Sequence, residues 1–288
     1  MPDRAAVAVK VENLAQARPQ WGLDRADIVF EEPVEGGITR FIAVYQCQGT
    51  ARIEPVRSAR FVDIDILEPL GRILFAYSGA IQPVIDAVDS SSSVLEDVGA
   101  DRASGAYERD PARVEPHNLE TSTAALYGAA ATFGYVSKPP PPYFTYGPLP
   151  KGGATVRAVN IAFALGTTTW AWGFKSARWF RSYSGTGRAM QGDNVQISAV
   201  NVVILHVHEY ATGYVEDPTG AVENQLVLTG SGPAWIFRDD QEFQGRWVRP
   251  SLGQPATFVE QDGTQITLAP GNTWEELVPW ETGVTVSK

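Results

Sequence analysis

The chain has 288 residues, of which 44% are hydrophobic and 19% charged, and its formal net charge is -10. This charge excludes broad affinity for nucleic acids or anionic membranes, because an acidic surface gains no counterion-release energy from them. The length and composition are those of a folded protein with two modest domains or one large one. The chain has a single cysteine, Cys47, which excludes an intramolecular disulfide and a thiolate-rich metal site.

The first 50 residues predict three strands. Residues 5–12 form the first candidate, and the runs DIVFEEP and ITRFIAVYQCQ follow as two further β-rich segments. The EGG between them predicts a tight loop with backbone in the φ > 0 region, which glycine adopts without steric cost. Cys47 lies at the end of the third run, so we expect a buried free thiol there.

Helical signals begin after the third predicted strand. Apolar residues recur at helical spacing from Phe61 to Leu67, which predicts a helix over residues 57–70 with its N-terminus at PVRSAR. RILFAYSG then predicts a short buried strand, and AIQPVIDAV predicts a second helix. Further on, Thr121 or Ser122 is the expected N-cap of an Ala-rich helix.

The run KPPPP is the strongest linker signal, because four consecutive prolines continue neither a helix nor the interior of a sheet. We therefore place a domain boundary near residue 150. Beyond it, β-rich runs are separated by turn signals such as TGSG, EQDG and APGN. The predicted fold class is α+β, with a mixed α/β N-terminal domain over residues 1–150 and a β-rich C-terminal domain over residues 151–288.

The stretch from residue 34 to residue 63 gathers arginines around glycines and small polar residues. A helix N-terminus next to arginines suits a phosphate, sulfate or carboxylate, since backbone N–H groups and guanidinium groups both bind anions. The candidate ligand-binding residues are Thr39, Arg40, Arg57, Ser58 and Arg60. A structural alternative stays open, in which the arginines bridge acidic residues inside the fold, namely Glu31, Glu32, Glu35 or Asp63.

Histidines offer a second kind of chemistry. His117 is a candidate general acid or base, with Asn118 beside it and Glu35 as the complementary carboxylate. His206 and His208 face the same side of a predicted strand, but no third ligand stands nearby, so we predict no metal site. The glycines form no nucleotide-binding motif and no serine lies in a GxSxG sequence, so we predict no cofactor and no serine hydrolase.

An ordered set of motifs runs through nearly the whole chain: VKVENLAQARPQWGLDRADIVFEEPVEGGITRF, EPVRSAR, RDPARVEPHNLETS, WGFKSARWFRSYSGTGRAMQGD, GRWVRPS and APGNTWEELVP. Together they resemble the YerB-like family of predicted bacterial lipoproteins, a family of unknown function. The resemblance implies an N-terminal and a C-terminal region in an extracytoplasmic protein, anchored to the cell membrane by a lipid on a segment absent from this chain. The residues that fall in the shared motifs are Glu35, Thr39, Arg40, Arg57, Ser58, Arg60, His117 and Asn118.

Three hypotheses about function follow. In the first, a cell-envelope protein binds an anionic ligand, such as a peptidoglycan fragment or a phosphorylated glycan, through an arginine-lined cleft. In the second, a hydrolase or transferase uses His117 and Glu35 as an acid/base pair on a cell-wall or phosphoester substrate. In the third, the protein is an interaction scaffold for an envelope protein. We expect no nucleic-acid partner, and membrane contact only through the lipid anchor.

Overall fold

A computed structural model describes residues 2–135, 138–216 and 219–288. Strands hold 42% of the residues and helices 14%, so the chain is β-rich with few helices. The α-helices are α1 (Phe61–Leu67), α2 (Gln82–Ser90) and α3 (Thr123–Thr132), and five 3-10 helices of three residues each make up the rest of the helical content of the described residues. The strands before residue 150 are β1 (Val7–Glu12), β2 (Ile28–Pro33), β3 (Thr39–Tyr45), β4 (Ile73–Ala76), β5 (Leu95–Asp97), β6 (Tyr107–Arg109) and β7 (Leu119–Thr121).

The described residues after 150 contain strands and no helix, in agreement with the β-rich prediction for this part of the chain. The strands are β8 (Ala154–Thr155), β9 (Ala158–Phe163), β10 (Gly166–Gly173), β11 (Arg178–Tyr183), β12 (Gly187–Arg188), β13 (Ser198–Ala199), β14 (Asn201–Val215), β15 (Val222–Val227), β16 (Gly230–Arg238), β17 (Gln241–Arg249), β18 (Thr257–Val259), β19 (Thr273–Pro279) and β20 (Val284–Ser287). Across the described part of the chain, no helix is both long and apolar enough to cross a bilayer.

A large sheet runs across the predicted boundary near residue 150. Its strand order is β18-β17-β16-β14-β19-β2-β3-β1-β4-β5, with β15 paired to β14 and β8 paired to β17. The junction is the parallel pairing of β2 with β19, in which Ile28 pairs with Thr273 and Glu31 with Glu276. Strands from both predicted domains therefore share one sheet, and the position of the boundary stays a prediction. A smaller sheet has the order β12-β11-β10-β9-β20, with β13 beside β11.

The large sheet is buried on both faces, with a separate core packed against each of them. Successive side chains of a strand point to opposite sides, so neighbouring residues enter different cores. On β1, Val7, Val9 and Val11 pack into a core shared with the smaller sheet and α3. Ala8 belongs to the other core, which is shared with α1 and α2. We call the two faces the small-sheet side and the helix side. Every charged residue near the middle of this sheet is assigned to one side or the other by this alternation.

Several local predictions are confirmed. Gly36 and Gly37 adopt φ of 69° and 73° between β2 and β3, and the Ser122 hydroxyl caps α3 by accepting from Ala125 N–H at 3.1 Å. The first helix is shorter than predicted. It begins at Phe61, so Arg57 lies in the segment that precedes the helix.

The prediction of a buried thiol at Cys47 is wrong. The strand β3 ends at Tyr45, and Cys47 lies exposed in the turn that follows. The Asp27 carboxylate accepts from the backbone N–H groups of Gln46, at 2.6 Å, and of Cys47, at 2.7 Å. The Asp27 carboxylate therefore accepts the hydrogen bonds that a neighbouring strand would accept in a sheet. The strand ends here, and Cys47 lies in the turn outside the core.

A fully buried cation joins the two sheets. Arg181 on β11 donates from Nη2 to Glu31 Oε2 at 2.5 Å and from Nη1 to Glu276 Oε1 at 2.8 Å. Burial, followed by the negative charge of Glu31, raises the pKa of Glu276 well above its ordinary value, so ionisation of this carboxyl is disfavoured beside Glu31. Aromatic rings surround the guanidinium with centroids 5.0 to 5.4 Å from its carbon; they belong to Phe41, Trp170, Tyr183 and Trp274.

We expect Arg181→Met to lower the free energy of unfolding by about 3–5 kcal/mol, because it leaves the Glu31 carboxylate buried without its counter-ion. Urea denaturation followed by tryptophan fluorescence measures the change. Arg188→Met, on the exposed strand β12, is the control and should stay within about 0.5 kcal/mol of the wild type. A loss below about 1 kcal/mol for Arg181→Met would contradict a central role for this ion cluster.

A second buried carboxyl on β19 makes stability depend on pH. Glu275 is 3% exposed and lines a small internal cavity with Arg249 and Tyr143. Burial raises its pKa to about 7, and the positive charge of Arg249 only partly opposes this. Between the ordinary carboxyl pKa and this value, the folded state holds a proton that the unfolded chain has released. The contribution of Glu275 to stability therefore falls as the pH rises through that window.

Glu275→Gln removes the ionisable group and keeps its shape. We expect the variant to gain stability relative to the wild type between about pH 5 and about pH 8, by up to about 3 kcal/mol. Urea denaturation across this range measures the difference, with Glu281→Gln at an exposed position as the control. Parallel pH profiles for the wild type and Glu275→Gln would count against a raised pKa.

Candidate functional site

The three predicted arginines line one open pocket on the helix side of the large sheet, which we call the arginine pocket. Arg40 lies on β3, Arg57 precedes α1, and Arg60 is the N-cap residue of α1. The pocket has a volume of about 340 Å³. Its lining residues are Glu35, Arg40, Arg57, Ser58, Arg60, Ala80, Ile81 and Glu216.

Backbone hydrogen bonds place the segment before α1 at this pocket. Arg57 N–H donates to Lys10 O of β1 at 2.9 Å, and Ser78 N–H donates to Arg57 O at 2.9 Å. At the start of α1, Arg60 N–H donates to Asp63 Oδ2 at 2.8 Å and so caps the helix. Because α1 has only 7 residues, the positive charge of the pocket comes from the arginine side chains and not from a long helix dipole.

Glu35 binds two of the three arginines. Arg60 donates from Nε to Glu35 Oε2 at 2.8 Å and from Nη2 to Oε1, and Arg40 donates from Nη2 to Oε1 at 3.2 Å. Arg40 Nη1 also donates to Ser58 O at 3.0 Å. Burial opposes ionisation of Glu35, but the hydrogen bonds from Arg60 and the charge of Arg40 lower its pKa to about 2. The structural alternative therefore describes this ion cluster: Glu35 is a fixed carboxylate that stabilises the arginines.

The hairpin strands β14 and β15 bring two more carboxyl groups to the start of α1. Glu216 Oε2 lies 3.0 Å from Arg60 Nη2, and Glu223 Oε1 accepts from Phe61 N–H at 2.7 Å. Burial and the contact with Glu216 raise the pKa of Glu223, and the Phe61 hydrogen bond only partly opposes this.

Arg57 is the most exposed arginine of the pocket. Its side chain is 23% exposed, and within the described ranges its ion-pair partner is Glu12 alone, with Nε 3.2 Å from Oε2. The same carboxylate lies 2.9 Å from His117 Nδ1 through each of its oxygens. Glu12 is therefore shared between the arginine pocket and His117, which lies outside the pocket lining. The carboxylate partner of His117 is Glu12 and not Glu35, because β1 brings Glu12 against the loop that carries His117.

The other acidic residues of the structural alternative bind different cations. Lys10 Nζ lies 2.5 Å from Asp63 Oδ1 and also pairs with Glu32, and all three side chains are fully buried. Burial lowers the pKa of Lys10 to about 8 against the opposing charge of Asp63. This buried pair of ion contacts joins β1, β2 and α1 beside the arginine pocket. It leaves Glu32 and Asp63 without a contact to the pocket arginines' guanidinium groups among the described residues.

Two predicted ligand residues lie away from the arginine pocket. Thr39 precedes Arg40 on β3 and therefore points to the small-sheet side, where its Oγ1 donates to Glu31 Oε1 at 2.6 Å. Asn118 is buried, and its Nδ2 donates to Asp110 O at 3.2 Å, which ties down the preceding loop. The strand alternation explains Thr39, and a loop hydrogen bond explains Asn118.

The other histidines contact aromatic rings. His206 lies edge-on to Trp235, with ring centroids 4.7 Å apart, and His208 stacks on Trp280 at 4.6 Å. Among the residues that the structure describes, three carboxylates lie close enough together to hold a metal ion: Glu54, Asp110 and Glu120. Arg52 forms ion pairs with all three of them, at 2.8, 2.6 and 2.6 Å, so an arginine already occupies the position of a cation.

Two acidic residues that contact the predicted site residues, Glu12 and Glu216, are not among the residues predicted from the sequence. Glu12 follows Lys10 by two residues on a predicted strand, so the alternation of side chains indicates that both face the same side. That signal was available from the sequence. Glu216 reaches Arg60 through the pairing of β14 with β15, and no local pattern in the sequence indicates such a distant contact.

Two family models match this chain. The description "Protein of unknown function (DUF3048) N-terminal domain" matches residues 1–136, and "Protein of unknown function (DUF3048) C-terminal domain" matches residues 159–274. "Putative lipoprotein YerB" of Bacillus subtilis (strain 168) is 27% identical over 295 residues, covering 99% of this chain and 85% of that protein. The crystal structure of the YerB protein from Bacillus subtilis has the same fold, with a TM-score of 0.83, 24% identity, and coverage of 98% of this chain and 94% of that chain. The resemblance to YerB-like proteins is thus confirmed, and the chain belongs to the DUF3048 family.

Proposed function

We propose that the arginine pocket binds the anionic group of a cell-envelope ligand, such as a peptidoglycan fragment or a phosphorylated glycan. The observation that carries this proposal is the convergence of Arg40, Arg57 and Arg60 on one open pocket of about 340 Å³. A guanidinium group presents its donors in a planar fork that fits carboxylate and phosphate oxygens. Arg57, the most exposed of the three, is the expected first contact of the ligand.

The arginines of the pocket keep donors for an added anion although carboxylates of the chain pair with them. Glu35 and Glu216 contact Arg40 and Arg60, whereas the partner of Arg57, Glu12, is shared with His117. Glu35 holds Arg40 and Arg60 in place before a ligand arrives, so the ligand does not pay the full cost of ordering them. Ser58 supplies a neutral hydroxyl at the same pocket.

The proposed location is outside the cell membrane. The Bacillus subtilis relative carries the word lipoprotein in its name, and the match covers 99% of this chain. We therefore propose an extracytoplasmic, lipid-anchored protein. Such a protein meets anionic glycans and peptidoglycan fragments on its own side of the membrane, which agrees with the proposed ligand class.

A second candidate function is acid/base catalysis at His117, as a hydrolase or transferase. The contact between Glu12 and His117 Nδ1 favours it, because a carboxylate that fixes one ring nitrogen leaves Nε2 oriented for proton transfer. Glu12 takes the part that the sequence assigned to Glu35. Arg57 contacts the same carboxylate, and its guanidinium is near enough to stabilise negative charge that develops on a substrate.

We expect Arg57→Gln to weaken the binding of N-acetylmuramic acid or inorganic phosphate by about tenfold or more, since a hydrogen bond to a charged group is worth about 1.5–3 kcal/mol. Isothermal titration calorimetry at low and high salt measures the affinity, and binding should weaken as salt screens the charge. Arg246→Gln removes the same charge from an exposed site on β17 and is the control. Equal losses in both variants, or no binding to either probe, would argue against the pocket.

For the catalytic candidate, we expect His117→Gln to lower turnover by about 100-fold or more on any cell-wall or phosphoester substrate that the wild type hydrolyses. A substrate panel assayed by product release gives the measurement. His208→Gln is the control, because His208 stacks on Trp280 and has no carboxylate partner at hydrogen-bonding distance within the described residues. Unchanged turnover in His117→Gln would remove this residue from the mechanism.

A further inference from the structure

A second cleft lies on the small-sheet side, and Thr39 belongs to its lining. It has a volume of about 360 Å³ and opens between the turn at Ala15–Ala17, the start of β3, and the connection between β9 and β10. We call it the Arg18 cleft. It shares no lining residue with the arginine pocket. Its volume lies in the range of small-molecule sites, which is about 300–1,000 Å³.

Arg18 is held at this cleft by Tyr183 and Asn13 and has no counter-ion in the part of the chain that the structure describes. Its guanidinium carbon lies 3.5 Å from the centroid of the Tyr183 ring, and Nη2 donates to Asn13 O at 2.9 Å and to Asn13 Oδ1 at 3.2 Å. Its Nε is buried and has no hydrogen-bond partner among the described residues. Over residues 2–135, 138–216 and 219–288, no carboxylate lies within ion-pair distance of Arg18. Burying a cation without a partner costs free energy that an anionic ligand would recover.

The surroundings of Arg18 do not cancel its charge. Glu31 also lines the cleft, but its carboxylate pairs with the buried guanidinium of Arg181. Arg181 also contacts Glu276, the other carboxyl of this ion cluster, and burial raises the pKa of Glu276, which opposes a second negative charge there. Burial lowers the pKa of Arg18, yet a guanidinium remains protonated near neutral pH. Arg18 is therefore a cation at the cleft that no carboxylate of the described residues pairs with, although the whole chain is acidic.

The rest of the lining suits hydroxyl groups. Gln16, Thr167 and Ser184 supply amide and hydroxyl side chains at the cleft, and Thr167 N–H donates to Ser184 Oγ at 2.9 Å. Leu165 lines the same cleft, is 66% exposed and forms an apolar edge at its mouth. A charged anchor, several neutral donors and acceptors, and a short apolar edge are together typical of sites for small hydroxylated molecules.

We propose that the Arg18 cleft binds a sugar acid or a sugar phosphate. The anionic group pairs with the guanidinium of Arg18, and the sugar hydroxyls contact the amide and hydroxyl side chains across the cleft. This site goes beyond the proposed function of the arginine pocket, because it uses a different arginine on the opposite side of the large sheet. Carboxylate and phosphate share the recognition chemistry, so the experiment includes one sugar of each kind.

The test measures binding of glucuronate, glucose 6-phosphate and glucose to the whole chain by ligand-observed NMR and calorimetry. We expect at least one charged sugar to bind and neutral glucose to bind at least tenfold more weakly. Arg18→Gln should weaken the charged sugar at least tenfold. Leu165→Asp, at a position that is 66% exposed, should also weaken it several-fold by placing a negative charge at the mouth.

Arg246→Gln removes an exposed charge on β17 and is the matched control, with an expected change below twofold. Thermal unfolding checks that Arg18→Gln is folded. If Arg18→Gln does not fold, the loss of charged-sugar binding in Leu165→Asp tests the proposal instead. The proposal is overturned if neither charged sugar binds, or if glucose binds as tightly as they do. It is also overturned if binding is lost in Arg57→Gln and kept in Arg18→Gln, since the sugar would then occupy the arginine pocket.

Discussion

Two consecutive carboxylates on β2, Glu31 and Glu32, are fully buried on opposite faces of the large sheet, and each requires a buried cation. On the small-sheet side, Arg181 supplies that cation and joins β2 to the smaller sheet. On the helix side, Lys10 supplies it and connects β1 and β2 to Asp63 in α1. Both faces of the central sheet are thus tied by charge as well as by apolar packing, and a change of strand register would separate both sets of partners.

The same alternation distributes the functional candidates. Arg40 points to the helix side, where it meets Arg60 and Glu35, while its neighbour Thr39 points to the Arg18 cleft. The arginine pocket is therefore a product of the helix side alone. The Glu35 carboxylate holds Arg40 and Arg60 in place, whereas Arg57 does not contact Glu35 and is the most exposed of the three arginines. The structural and the ligand-binding interpretations are therefore compatible, because they concern different arginines of the same pocket.

The two clefts differ in how their cations are balanced. In the arginine pocket, carboxylates of the chain already occupy most donors, so a ligand competes with or adds to internal ion pairs. In the Arg18 cleft, an aromatic ring and a backbone carbonyl hold the arginine without neutralising it. An acidic protein thus places arginine side chains at two clefts on opposite faces of one sheet. Long-range attraction of anions is weak for such a chain, and recognition depends on short-range hydrogen bonds.

The sequence by itself determined several local elements and most of the residues that line the arginine pocket. Apolar spacing and turn chemistry located β1, the glycine turn before β3 and the Ser122 cap, and the motif arginines do line one pocket. Only the tertiary structure decided that Glu12 is the partner of His117, that β2 pairs with β19, and that Cys47 is exposed. The reason is physical. Helix spacing, caps and tight turns depend on neighbouring residues, whereas strand pairing and buried ion pairs depend on contacts between residues far apart in the chain.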